Sequence, residues 1–111
     1  MNSSTSPLRL RVMADHASSG IWIIGGAPPP WRHGMIDHRT LGLTPPLAKR
    51  FADWITWYER DHLDGRLDLS AFEQEGLALA QALKRELGAR AYVEFVPEPS
   101  AGKRLPGIPV E

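Results

Sequence analysis

Three of the four histidines follow an aspartate directly, at Asp15-His16, Asp37-His38 and Asp61-His62. Imidazole and carboxylate together supply metal ligands and acid–base pairs. Consecutive side chains do not aim at one atom, however, and all three pairs fall in or beside turn-forming stretches. Exposed turn residues are the default reading for such pairs. The spacing of His33 and His38 does not place them on one helix face. Ser18 and Ser19 precede Gly20 without the Gly-x-Ser-x-Gly elbow that exposes a nucleophile. Gly25-Gly26 runs into Pro28-Pro29-Pro30 rather than into a phosphate-cradling helix. The chain has no cysteine, which excludes thiolate metal sites, thiol nucleophiles and disulfides, and suits a reducing compartment. Glu73, Glu75 and Glu86 read as a capping residue and solvated charges. No catalytic residue, metal ligand or cofactor is assigned, and the expectation is a protein that is not an enzyme. A small ligand- or metal-binding domain, or an enzyme built on His16, His33 and His38, stands as the alternative.

Binding chemistry is better represented. Four tryptophans in 111 residues exceed ordinary usage, and Trp, Tyr and Arg dominate binding hot spots. Trp22 sits in an apolar run and Trp54 in a helical stripe, so both suit a core. Trp31 stands beside Arg32 and His33, and Trp57 lies off the stripe with Arg60 three residues on. Trp31, Arg32, His33, Trp57 and Arg60 are therefore the expected partner-binding residues. The opposing readings are that Trp31 and Trp57 cover the edge of the core, or that the extra aromatics pack between subunits of a homo-oligomer.

Thirteen basic residues balance thirteen acidic ones, so no net field draws in nucleic acid or anionic lipid. Arg9, Arg11, Lys49, Arg50, Arg60, Lys84, Arg85 and Arg90 are numerous but interleaved with acids, and no zinc-finger or ribonucleoprotein motif accompanies them. No apolar run nears the ~20 residues of a membrane span, and no signal-peptide core is visible. The expected location is the cytoplasm.

These residues need elements to hold them. Residues 1–7 read as a loose polar tail. Leu8, Leu10 and Val12 alternate with Arg9 and Arg11, a period of two that predicts a strand. Ile21-Trp22-Ile23-Ile24 predicts a second strand, in a hairpin with the first. The stretch from Gly25 to Leu43 reads mostly as loop, either folded onto the core or serving as a recognition surface. Thr44 and Pro45 open a helix whose stripe is Leu47, Phe51, Trp54, Ile55 and Tyr58. Ser70 and Glu73 match a capping box for a second helix, with Phe72, Gly76, Leu79, Ala80, Leu83 and Leu87 on its buried face. Gly88 caps its end. Ala91, Val93 and Phe95 predict a third strand, and residues 97–111 read as a tail rich in proline and glycine. The expected fold is α+β and two-layered: a three-stranded sheet on a two-helix hairpin, ordered ββααβ, in one domain over residues 8–96.

Several stretches carry a resemblance: Arg11-Val12-Met13-Ala14-Asp15 with Trp22 nearby, and Leu43-Thr44-Pro45. The run from Glu75 to Gly88, Glu-Gly-Leu-Ala-Leu-Ala-Gln-Ala-Leu-Lys-Arg-Glu-Leu-Gly, and Tyr92-Val93-Glu94-Phe95 complete it. Over residues 8–96 the chain resembles a group of small bacterial proteins of about this length. In size and style it is similar to immunity proteins of contact-dependent growth inhibition. That resemblance implies a fold rather than site residues. It further implies a protein partner, such as the C-terminal domain of a toxin, neutralised by a rigid domain that covers its active site.

Overall fold

A computed structural model describes residues 8–26, 34–97 and 107–111. The strands are β1 (Leu8–Val12), β2 (Ile21–Gly25), β3 (Gly34–Met35), β4 (Ala91–Phe95) and β5 (Ile108–Val110). The helices are α1 (His38–Leu41), α2 (Pro45–Asp61) and α3 (Leu69–Leu87), with a 3-10 turn over Gly88–Arg90.

The strands form one sheet in the order β3-β2-β1-β4-β5. β1 pairs antiparallel with β2 and parallel with β4, while β3 and β5 add antiparallel edges. A parallel neighbour cannot be reached by a tight turn, and the α2–α3 hairpin supplies the crossover from β1 and β2 to β4.

The three-stranded sheet expected from the sequence is thus corrected to a mixed sheet of five strands, and a third helix joins the two expected. The class remains α+β. The additions lie where sequence periodicity has least to work with. β3 has two residues and α1 four, too few to establish a period. β5 has Pro109 at its centre. Proline argues against a strand in sequence, yet on an edge it removes no central ladder bond and blunts pairing with other chains.

The helices cover one face of the sheet. Leu10 and Val12 of β1, Ile21 and Ile23 of β2, and Ala91, Val93 and Phe95 of β4 are buried there. They meet the expected stripes: Leu47, Phe51, Trp54, Ile55 and Tyr58 from α2, and Phe72, Gly76, Leu79, Ala80, Leu83 and Leu87 from α3. Trp54 stacks on Phe72 with centroids 4.6 Å apart, and its indole N–H donates to the Phe72 carbonyl at 3.0 Å. Gly76 is the close-approach point of this layer. A Cβ there would lie 2.5 Å from the Phe95 ring and 2.7 Å from that of Trp54.

Two helix starts differ from expectation. The N-cap of α3 lies two residues before Ser70, at Asp68, which accepts from the Ala71 N–H at 3.1 Å. Thr44 occupies the N-cap of α2 but makes no capping bond with its side chain. Its N–H and hydroxyl both donate to the Glu86 carboxylate near the end of α3, which ties the two ends of the hairpin together. Gly88 caps α3 with φ at +61°, as expected of glycine.

Candidate partner-binding surface

Trp57 and Arg60 are three residues apart on α2 and so share a helix face. The Trp57 ring is half-buried, edge-on to Phe72 at 5.2 Å, and lines a shallow groove between α2 and α3 with Arg50, Asp53, Trp54 and Glu75. Arg50 and Glu75 pair across that groove at 3.3 Å. Arg60 is exposed and forks onto Asp61, with contacts of 2.9 and 3.1 Å. The Arg60 guanidinium holds the Asp61 carboxyl below the usual carboxylate range, mainly through these hydrogen bonds, and the Trp57 side chain bonds the same carboxyl. α2 therefore presents an aromatic ring and a cation side by side. The other three expected contact residues, Trp31, Arg32 and His33, lie outside the described residues.

The histidines do not converge on one point. His38 on α1 contacts the Ser19 carbonyl through Nε2 at 2.8 Å and packs on Phe51. His16, in the β1–β2 turn, lies 4.9 Å from the Tyr58 ring and 5.7 Å from His62, so two of the three Asp-His pairs meet around one tyrosine. Among the described residues no three His, Cys, Asp or Glu side chains are grouped to hold a metal ion. Among them, too, no helix is long and apolar enough to cross a membrane.

The sheet face turned away from the helices is a further surface. One row of residues crosses all five strands in register: Met35 opposite Trp22, Trp22 opposite Arg11, Arg11 opposite Glu94, and Glu94 opposite Pro109. At about 4.8 Å per strand the row spans about 19 Å. A second row sets Gly25 against Arg9 and Arg9 against Tyr92. A β-bulge between Arg9 and Leu10 makes this alignment, because the pairing of β2 skips Ile24 there. Gly25 has no side chain to occupy the space, and a Cβ there would sit 3.4 Å from Cδ of Arg9.

The chemistry of this face is tightly paired at its centre. Arg11 Nε donates to Glu94 at 2.7 Å, and the Tyr92 hydroxyl donates to the other carboxylate oxygen at 3.1 Å. Glu94 is only 6% exposed and is the one buried charged residue described. Gly107 lies so close to this carboxylate that any side chain there would overlap it. Desolvation first, and then the Glu94 carboxylate, raise the Tyr92 phenol above the usual tyrosine range. The Arg9 guanidinium lies 5.1 Å from the Tyr92 ring centroid, a cation–π contact. The Trp22 indole donates to the Met13 carbonyl at 2.9 Å, which fixes its ring on the sheet.

This face was not singled out from the sequence. The alternation of Arg9 and Arg11 with Leu8, Leu10 and Val12 marked their side of β1 as polar. The pairing with Trp22, Tyr92 and Glu94 depends on strand order, which one sequence does not reveal.

The sequence model of a family described as Serratia CdiI immunity protein-like matches residues 8–98. The chain belongs to this family. The match runs from the first residue of β1 past the end of β4, so the family covers β1 to β4 and all three helices, and leaves β5 outside. It also bears out the resemblance to immunity proteins of contact-dependent growth inhibition. No curated protein matches the chain.

Proposed function

We propose that this chain is an immunity protein that binds a cognate bacterial toxin and neutralises it by covering its active site, without catalysing a reaction itself. The family match over residues 8–98 carries the reading. The arrangement of side chains supports it. Half-buried aromatic rings stand beside arginines on the surface, Trp57 near Arg60 among them, which suits protein recognition. The described histidines divide between two places, His16 and His62 around Tyr58 and His38 on the Ser19 carbonyl.

In this reading Trp57 and Arg60 on α2, together with Trp31, Arg32 and His33, contribute contacts to the toxin. A rigid domain suits steric inhibition because a pre-formed surface loses little entropy on binding. The test is co-expression with a candidate toxin domain, the C-terminal part of whatever large protein the tagged chain captures from its native host. Protection of growth, with a one-to-one complex on gel filtration, is the expected result. A toxin that kills equally well with or without the chain, and forms no complex with it, would sink the proposal.

A further inference from the structure

We infer that β5 is a guard strand. It occupies an edge of β4 that would otherwise pair with a second copy of the chain, and the fit of Gly107 against Glu94 seats it there.

The edge it covers is suited to pairing. Ala91-Tyr92-Val93-Glu94-Phe95-Val96 holds two aromatic and two β-branched residues and has no proline or glycine. Its single charge, Glu94, is already engaged by Arg11 at 2.7 Å. Short segments of high β-propensity and low net charge are those that pair edge to edge. The backbone directions are fixed as well. The Val96 N–H donates to the Val12 carbonyl of β1 at 2.9 Å. Amides alternate in direction along a strand, so those of Val93 and Phe95 point away from β1, toward Val110 and Ile108 of β5. With β5 lifted off, these donors would stand open. The family match ends at residue 98, so in the matched part of the sheet β4 is itself an edge strand.

β5 closes this edge without offering an equivalent one. By the same alternation Pro109, opposite Glu94, turns its nitrogen to the free side, where proline has no N–H to give. Glu111 follows, exposed, and brings a charge to that side. Side-chain burial does little to hold β5, since Ile108 is 49% exposed and only Val110 packs partly against the core. The seat lies instead at Gly107, whose backbone rests against the Glu94 carboxylate with no space for a side chain. That carboxylate cannot swing aside, because Arg11 Nε and the Tyr92 hydroxyl hold its two oxygens.

The test compares wild type with Gly107→Val by sedimentation velocity, from micromolar to millimolar protein, and by amide hydrogen exchange. The valine side chain would overlap the Glu94 carboxylate and keep β5 from seating. Wild type is expected to stay at its monomer mass of 12.3 kDa. Gly107→Val should reach the mass of a dimer or more, and protection of its Val93 and Phe95 amides should rise with protein concentration. A variant that stays monomeric, or that associates without this gain in protection, would overturn the inference. So would a wild type that associates to the same degree. Should Gly107→Val fail to fold, wild type in sub-denaturing urea decides the matter. The Ile108, Val110, Val93 and Phe95 amides should then open at lower urea than those of β1 and β2, with association appearing in the same range. Opening of β5 only together with the central strands, or without association, overturns the guard role.

Discussion

Replacing Gly76 with alanine tests how tightly the two layers are joined. By helix propensity alone the change is favourable, since alanine exceeds glycine by about 1 kcal/mol in a helix interior. The surroundings oppose it. The new methyl would lie 2.5 Å from Cε1 of Phe95 and 2.7 Å from Cζ2 of Trp54, where ordinary contacts begin near 3.4 Å. Neither ring has room to retreat. Phe95 is buried on β4, and Trp54 is stacked on Phe72 and bonded to its carbonyl. Overpacking of this kind costs about 1–3 kcal/mol, and with two fixed rings in the way the upper end applies. The net expectation is a loss of about 2 kcal/mol once the propensity gain is subtracted. For a domain of about 100 residues each kcal/mol moves the thermal midpoint by about 4–8 °C. Urea titration followed by tryptophan fluorescence, with thermal melts alongside, measures the effect. Trimming one ring in Gly76→Ala/Phe95→Leu should cost less than the two single losses added together. A Gly76→Ala protein as stable as wild type, or more so, would refute the claim that backbone proximity at this position sets the spacing between α3 and β4.

Four further outcomes are expected. Asp68→Ala should destabilise the fold by about 1 kcal/mol through loss of the α3 cap, and Ser70→Ala by much less; the reverse order in urea titrations would restore Ser70 as the cap. Arg11→Met strands the Glu94 carboxylate and should cost about 2 kcal/mol, part of the full penalty for breaking a buried pair because Arg11 keeps some solvent contact. Tyr92, raised by desolvation and by Glu94, should ionise above the ordinary tyrosine range in an alkaline absorbance titration, and Tyr92→Phe should remove that component. Because the folded state favours the neutral phenol, this group's contribution to stability is complete below the unfolded tyrosine pKa of about 10 and declines as pH rises beyond it. Finally, Trp57→Ala and Trp31→Ala should each weaken a toxin complex by about 2 kcal/mol or more if those rings are anchors; unchanged affinity in a binding titration removes that ring from the interface.

The core was legible because its signal is local. Every residue assigned to the buried stripe of α2, from Leu47 to Tyr58, is buried, and the glycine that ends α3 was placed from residue type alone. What escaped the sequence is either too short to be periodic or depends on pairing at long range. β3 and β5 gain their hydrogen bonds only from β2 and β4, so nothing in their own few residues declares them strands. Capping at α3 was misplaced by two residues because Asp68 and Ser70 are both good caps, and the choice depends on where the preceding turn delivers the chain.

The outer face of the sheet makes the same point. Arg11 and Glu94 are 83 residues apart in sequence, yet they stand opposite each other in the sheet. Read singly, each is a polar residue alternating with apolar ones, which is how a solvated strand face looks. Only the parallel pairing of β1 with β4 brings them together, and only that pairing sets Arg9 over Tyr92 rather than loose in water. Sheet topology, which composition does not reveal, decides which of these charges pair.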